Sequence, residues 1–167
     1  VLGPTIDAPA GVMEGRIEGD LRVFKGIPYA MPPVGAARWR PPTAMPRWPG
    51  TRHTTQYGPA CSQPISRVQS IYSQELGAMS EDCLYLNVWV PAGASANLPV
   101  MVWIYGGGLE NGTASTPLYA GDKLARCGVI VVTANYRLGA LGFLAHPDLT
   151  REAPNQVSGN YGLLDQL

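Results

Sequence analysis

Hydrophobic and polar positions divide the chain into short apolar segments separated by glycine- and proline-rich stretches. Residues 99–105 form an uninterrupted apolar run, and residues 129–134 form a second run that is rich in β-branched side chains. Runs of this length are typical of strands buried on both faces. Residues 121–126 fit one or two helical turns, with Gly128 as a C-terminal stop. A strand, a crossover helix and a second strand predict a βαβ-like unit in a mainly parallel sheet.

The first half of the chain shows strand signals and a long irregular segment. Residues 12–17 and 21–24 predict two strands of a small antiparallel hairpin or meander, with the turn at residues 18–20. Residues 26–46 are proline-rich, so we expect them to be extended and irregular and to pack over a core. Residues 84–90 alternate between two faces and predict a strand: Leu84, Leu86, Val88 and Val90 share one face, and Tyr85, Asn87 and Trp89 share the other.

A short helix is predicted at the end of the sequence. Asn160 can cap a helix that begins around Tyr161, with Leu163, Leu164 and Leu167 facing the core. About two turns of helix are marginal on their own. We therefore expect the sequence to stop within a larger folded unit.

Three glycines stand at the carboxyl end of the first apolar run, at Gly106, Gly107 and Gly108. Glycine allows the backbone to turn sharply and to bring bare N–H groups close to a ligand. Exposed donors at the end of a buried strand suit the oxyanion that develops in acyl transfer. The alternative is a glycine-rich turn that only connects the strand to the next segment.

Composition excludes several classes of partner. Twelve basic and twelve acidic residues cancel, so no charge favours nucleic acid or an anionic membrane surface. No apolar run approaches the length of a membrane span. Only 14% of the residues are charged while 46% are hydrophobic, which suggests that part of the surface is covered by something else.

The cysteines and histidines bear on redox state and metals. Cys61 and Cys83 flank a polar segment and either close it as a disulfide, which would indicate an oxidising compartment, or remain reduced thiols. Cys127 is expected to be a small buried apolar residue. With no CxxC or HxxxH spacing and only His53 and His146 as histidines, we expect neither a metal nor another cofactor.

Several segments occur together in one order along nearly the whole chain. They are residues 24–30 (FKGIPYA), 37–42 (ARWRPP), 80–89 (SEDCLYLNVW), the glycines at 106–108, residues 133–144 (TANYRLGALGFL) and 159–166 (GNYGLLDQ). Taken together they resemble the carboxylesterase type-B (cholinesterase-like) branch of the α/β-hydrolase superfamily. The resemblance implies an α/β fold: the N-terminal part of a mostly parallel central sheet, preceded by a small antiparallel β-meander.

The resemblance also implies roles for individual residues. Gly107 and Gly108 match two N–H donors of the family's oxyanion hole, in agreement with the glycine-rich strand end. Further matches are a disulfide and two ion pairs, which we interpret as structural and not catalytic: Cys61 with Cys83, Arg38 with Glu81, and Arg137 with Asp165.

The catalytic triad of the family does not appear in the sequence. No Gly-x-Ser-x-Gly pentapeptide occurs in residues 1–167, and the family's acid and histidine lie further along the chain. His146 is a tempting general base, but its position does not match the family histidine, and a solvated or capping role is favoured. The resemblance therefore implies that residues 1–167 are the N-terminal segment of a single α/β-hydrolase catalytic domain. We expect this chain alone to be inactive and its partner to be the remainder of the esterase polypeptide, either continuous with it or present as a separate chain.

The resemblance predicts a serine carboxylesterase that hydrolyses carboxylic esters through an acyl-enzyme. The loop between Cys61 and Cys83 has no long amphipathic lid and no tryptophan, which favours small to medium soluble esters over lipids and choline esters. Its scattered apolar residues and Glu75 do not change that preference. A lipase, a non-catalytic adhesion or scaffold protein and an independent binding module are the alternatives.

Location and glycosylation follow from smaller signals. The predicted disulfide favours a secreted or periplasmic protein, and a cytoplasmic location stays open. Residues 111–113 form a glycosylation sequon at Asn111, but a glycan there would crowd the glycine-rich turn, so we expect the sequon to be unoccupied.

Overall fold

The fold is seen in a computed structural model, which describes residues 3–65, 76–93 and 97–167. Its strands are β1 (Thr5–Ala8), β2 (Gly11–Glu14), β3 (Arg16–Glu18), β4 (Leu21–Pro28), β5 (Thr51–His53), β6 (Ala60–Cys61), β7 (Met79–Ser80), β8 (Tyr85–Pro91), β9 (Val100–Trp103) and β10 (Ile130–Ala134). Its α-helices are α1 (Asp122–Ala125), α2 (Gly139–Phe143), α3 (Pro147–Glu152) and α4 (Tyr161–Leu164).

The main sheet has five strands in the order β3-β4-β8-β10-β9. Strand β10 pairs parallel to β9, and α1 lies between them in the chain, which confirms the predicted βαβ-like unit. The other three pairings in this sheet are antiparallel, so the described residues hold the antiparallel flank and the first parallel pair of an α/β sheet. The edge strand β9 and the glycines that follow it set the position of the candidate site.

The N-terminal hairpin is confirmed, with one change. Strands β3 and β4 pair antiparallel across the predicted turn. Residues 12–17 do not form one strand, however, because the chain changes sheet at Gly15 and β2 joins a smaller sheet with β1 and β5. A Cβ on Gly15 would overlap the carbonyl oxygen of Val23, so the close approach of these two backbone segments requires glycine there.

The proline-rich segment is irregular beyond Pro28, as predicted, whereas residues 26–28 belong to β4 and Ile27 and Pro28 pair with β8, which the prediction missed. Between the end of β4 and the start of β5 it contains a 3₁₀ turn at Gly35–Ala37 and a single bridge between Ala30 and Ala44. Strand β5 at its far end was not predicted. The hydropathy pattern gives no signal there, because β5 has only three residues and none of them is buried.

Strand β10 and strand β9 differ from each other in burial. Strand β8 flanks β10 on one side and β9 flanks it on the other, and Val131 and Thr133 are buried. The prediction that the run leading to Gly106 is buried on both faces is wrong for β9, whose four side chains are 41–59% exposed. Strand β9 is the edge of the sheet in the part of the chain that the structure describes, so its apolar side chains are only partly covered there, as where the Trp103 ring lies 5.4 Å from that of Tyr119.

Two smaller predictions are also wrong. Cys127 is exposed, and its Sγ lies 3.6 Å from the carbonyl oxygen of Lys123 on the solvent side of α1. Leu163 and Leu164 in α4 and Leu167 beyond it are exposed, whereas Tyr161, Gly162 and the C-cap residue Asp165 are buried. A Cβ on Gly162 would overlap the carbonyl oxygen of Arg137, so the helix turns its smallest residue toward that chain segment. The side chain of Asn160 makes no capping hydrogen bond.

Candidate active site

The candidate site is the glycine turn, residues 106–112, which follows β9 through the buried Tyr105. Three consecutive residues of this turn have positive φ angles: 136° at Gly107, 64° at Gly108 and 64° at Leu109. Glycine adopts such angles freely, whereas at Leu109 the conformation costs about 1 kcal/mol. The surrounding contacts must therefore hold the turn in place.

Two hydrogen bonds anchor the turn at its two sides. The rings of Tyr105 and Tyr136 stack with centroids 4.6 Å apart, and the Tyr136 hydroxyl donates to the carbonyl oxygen of Tyr105 at 2.7 Å. On the far side, the N–H of Gly139, at the start of α2, donates to the carbonyl oxygen of Leu109 at 2.7 Å. Burial raises the pKa of both tyrosines, so the hydroxyls stay protonated at neutral pH.

The N–H groups of Gly107 and Gly108 donate to no acceptor within the described ranges 3–65, 76–93 and 97–167. By contrast, the carbonyl oxygen of Gly107 accepts from the N–H groups of Glu110 at 3.2 Å and Asn111 at 3.3 Å, which closes the turn. Beside the turn lies a cavity of about 330 Å³, lined by Gly106, Gly107, Asn111, Gly112, Thr116 and Tyr119. Unused backbone donors on a tight turn next to a cavity are suited to binding a negatively charged oxygen.

Sequence reasoning missed the residues that pack behind this turn. The side chain of Gln63 donates from Nε2 to the carbonyl oxygen of Gly112 at 2.8 Å and accepts the Gly112 N–H at Oε1, 2.7 Å away. The buried Asn135, which follows β10, accepts the Ala114 N–H at 2.9 Å. Asn135 lies within a segment that carries the family resemblance, which is a signal for it. No sequence pattern singles out Gln63, because a polar residue in a loop is ordinary whether or not it has a specific partner.

Cys61 and Cys83 form a disulfide, with both residues buried and their Cα atoms 5.0 Å apart. The bond brings the end of β6 next to the residues before β8. The interpretation of the enclosed loop as a short, lid-free segment depends partly on residues 66–75, Glu75 included, and these lie outside the described residues.

The structure also brings together the four charged residues that the resemblance singled out. Arg38 donates from Nε and Nη2 to the two carboxylate oxygens of Glu81, each at 2.6 Å. Arg137 donates in the same way to Asp165, at 2.8 and 2.7 Å. The Arg38 guanidinium holds the pKa of the Glu81 carboxyl below its usual value. Neither pair lines the cavity beside the glycine turn.

His146 occupies the capping role that sequence analysis favoured. It is the N-cap of α3, and its Nδ1 accepts the backbone N–H of Asp148 at 3.2 Å. No cluster of three metal-ligating side chains occurs in the part of the chain that the structure describes. Among the helices of that part, none is long and apolar enough to cross a membrane. Asn111 is exposed and lines the cavity, so a glycan on it would stand at the mouth of the candidate site.

Comparison with known proteins now defines the class. The model of the carboxylesterase family matches residues 3–167, and the chain belongs to that family. The chain is 52% identical over 159 residues to fumonisin B1 esterase of Sphingopyxis macrogoltabida, covering 95% of this chain and 29% of that protein. It is 50% identical over 157 residues to para-nitrobenzyl esterase of Bacillus subtilis (strain 168), covering 93% of this chain and 31% of that protein.

Solved structures agree with the sequence relatives on the fold. A thermophilic PNB esterase matches with a TM-score of 0.86 and 47% identity, over 97% of this chain and 33% of that chain. The fold is therefore part of an α/β-hydrolase. The chain spans about a third or less of the length of the relatives it matches.

Proposed function

We propose that this chain supplies two oxyanion-hole donors, the N–H groups of Gly107 and Gly108, to a serine carboxylesterase. The observation that carries the proposal is the strained glycine turn beside the cavity, where these donors meet no acceptor among the described residues. The names of two relatives, fumonisin B1 esterase and para-nitrobenzyl esterase, support the same class.

The proposed reaction proceeds through an acyl-enzyme. The serine oxygen bonds to the ester carbonyl carbon while its proton passes to a histidine, and the carbonyl oxygen takes up the negative charge. The N–H groups of Gly107 and Gly108 and one later donor bind that oxygen until the alcohol leaves with the proton. Water then hydrolyses the acyl-enzyme in the same way. Loss of one such donor typically costs about 3 kcal/mol of transition-state stabilisation.

The nucleophile must come from sequence other than this one, because residues 1–167 contain no Gly-x-Ser-x-Gly elbow. We therefore propose that residues 1–167 alone hydrolyse no ester and act together with the remainder of the esterase polypeptide. The exposed apolar faces of β9 support this proposal, since a run of Val, Met, Val and Trp favours contact with further protein over water.

The proposed substrate class follows from the sequence of the Cys61–Cys83 loop, and the proposed location follows from the disulfide. The absence of a long amphipathic lid between Cys61 and Cys83 favours small to medium soluble esters. The disulfide favours a secreted or periplasmic protein, because such bonds persist in oxidising compartments.

The test uses the complete polypeptide that carries this chain, with p-nitrophenyl butyrate as substrate and a fluorophosphonate as serine label. Gly107→Ala is expected to lower kcat by about a hundredfold or more, because its Cβ would overlap the Asn111 carbonyl and move the N–H. Gly93→Ala is the matched control, since a Cβ there meets no atom within 4 Å. A polypeptide that neither turns over the ester nor takes the label would contradict the proposal and favour the adhesion or scaffold alternative.

A further inference from the structure

The peptide unit between Asn111 and Gly112 connects the side chain of Gln63 to the start of the glycine turn. Its carbonyl oxygen, on Asn111, lies so close to Gly107 that a Cβ on Gly107 would overlap it. Its N–H, on Gly112, donates to Oε1 of Gln63 at 2.7 Å. One rigid amide plane therefore touches Gly107 on one side and Gln63 on the other, since a peptide bond is planar.

Gln63 holds Gly112 with both ends of its carboxamide, one end on each of the two peptide groups that Gly112 joins. Besides accepting the Gly112 N–H, it donates from Nε2 to the carbonyl oxygens of Gly112 at 2.8 Å and of Cys61 at 3.0 Å. Only a side chain that has a donor and an acceptor on one flat group can do this. Gln63 is also two residues from Cys61, so the disulfide to Cys83 restrains the backbone from which it reaches.

Gly112 has little freedom to move independently of the turn. Its φ is 125°, and a Cβ there would lie 2.5 Å from the ring of Tyr105 and 2.9 Å from the carbonyl oxygen of Gly106. The Gly112 backbone therefore fits directly against the residues that begin the glycine turn. On the side away from the cavity, Gly112 packs directly against Tyr105 and the carbonyl group of Gly106, so a shift of Gly112 toward them would displace the start of the glycine turn.

We infer that Gln63 is a positioning residue for the oxyanion hole: it fixes the Asn111–Gly112 peptide and, through it, the direction of the Gly107 N–H. The inference rests on the proposed function, since it assigns Gln63 to the same reaction. Gln63 itself is not among the residues that line the cavity beside the glycine turn. Its effect should therefore appear in the transition state, where the oxyanion exists, and not in substrate binding.

The experiment compares Gln63→Met with the wild-type complete polypeptide and with the control Gln56→Met. Gln56 is exposed, and its side chain makes no hydrogen bond to the described residues. Gln63→Met should lower kcat for p-nitrophenyl butyrate by about tenfold and leave KM within about twofold. It should also weaken inhibition by a trifluoromethyl ketone by about tenfold, since the adduct formed by the serine places an alkoxide in the oxyanion hole.

Gln63→Glu gives a readout that a purely structural role would not move. A carboxylate faces two carbonyl oxygens with no proton to donate, whereas a protonated carboxyl restores one donor and one acceptor. The ratio of kcat/KM of Gln63→Glu to that of wild type should therefore rise as pH falls from about 8 to about 5, the direction of carboxyl protonation.

The outcomes separate the two proposals. A wild-type polypeptide that shows neither turnover nor labelling would overturn the proposed function and this inference with it. An active wild type in which Gln63→Met matches Gln56→Met in kcat and in ketone inhibition would overturn only the role of Gln63. So would an activity loss in Gln63→Met accompanied by a Gln63→Glu ratio that does not change with pH, since that would indicate a general loss of structure.

Discussion

Two arginine–carboxylate pairs in this chain have the same geometry and different surroundings. In both, Nε and Nη2 of the arginine face the two oxygens of one carboxylate, with distances between 2.6 and 2.8 Å. The side chains of Arg137 and Asp165 are 3% and 0% exposed, whereas those of Arg38 and Glu81 are 38% and 27% exposed. Residues of both pairs border one small cavity of about 10 Å³ beside the disulfide, so the difference arises within a short distance.

The buried pair is also the more connected one. Asp165 accepts the backbone N–H of Arg137 at 3.0 Å, and Arg137 donates from Nη1 to the carbonyl oxygen of Arg40 at 2.8 Å. The pair thus joins the proline-rich segment, the chain after β10 and the end of α4. A buried ion pair adds little net stability compared with a packed apolar pair, but it is costly to break on one side. The same hydrogen-bond geometry therefore has two uses. The buried Arg137–Asp165 pair fixes three segments of the chain, whereas the partly exposed Arg38–Glu81 pair joins only two.

The largest expected effect comes from removing the buried carboxylate charge. Asp165→Asn in the complete polypeptide should lower the free energy of unfolding by about 3–5 kcal/mol, because the buried Arg137 guanidinium loses its counter-charge. Urea unfolding followed by tryptophan fluorescence measures the change. Asp7→Asn is the control, since it removes a carboxylate from the exposed pair with Arg47 and should cost less than about 1 kcal/mol. Equal losses in the two variants would show that burial does not distinguish the pairs.

A conservative exchange sharpens the comparison further. Lysine keeps the positive charge but cannot make two parallel hydrogen bonds to one carboxylate. Arg137→Lys should lower the free energy of unfolding by about 1.5–3 kcal/mol, because the bonds to Asp165 and to the carbonyl oxygen of Arg40 cannot all be replaced in the interior. Arg38→Lys should leave the unfolding midpoint unchanged, since water replaces the lost bond at the surface. The expectation fails if Arg38→Lys is as destabilising as Arg137→Lys.

The parts of the fold that sequence reasoning predicted depend on local signals. The hairpin of β3 and β4 follows from two apolar segments around a short turn, and the β9–β10 pair follows from two apolar runs joined by a helical stretch. The exposure of β9 could not be predicted from its own residues, because burial depends on what lies against a strand and the apolar run only indicates what it prefers. The prediction of which face of α4 is buried was wrong for a related reason. Its leucines suggested the interior, but Asp165 takes that place to meet Arg137.

The candidate site was predictable in part. The place of the glycines after an apolar run made them candidates, but the same pattern also fits a turn that only connects two segments, and the resemblance was needed to favour the oxyanion role. The ion pairs join residues 28 and 43 positions apart, and no periodic pattern connects such residues, so only the resemblance could suggest them. The two cysteines that flank a polar segment allowed the disulfide as one of two alternatives, and the resemblance favoured it. Gln63 could not be predicted by either means. Its role rests on two hydrogen bonds to one backbone residue 49 positions away, and these depend on the folded loop.

The smallest expected effect is at the surface pair and is best seen through pH and salt. The Arg38 guanidinium lowers the pKa of Glu81 from the ordinary 4.5, so the stabilisation is complete above that value and is lost as pH falls through the lower folded-state pKa. Glu81→Gln should therefore cost less than about 1 kcal/mol at neutral pH, given the partial exposure of the pair. The difference from wild type should decline as pH falls below the ordinary pKa, vanish below the lower folded-state pKa, and shrink in 1 M salt, which screens exposed charges. A difference in unfolding free energy that persists under both conditions would show that Glu81 acts through packing, and would remove the electrostatic contrast with Asp165.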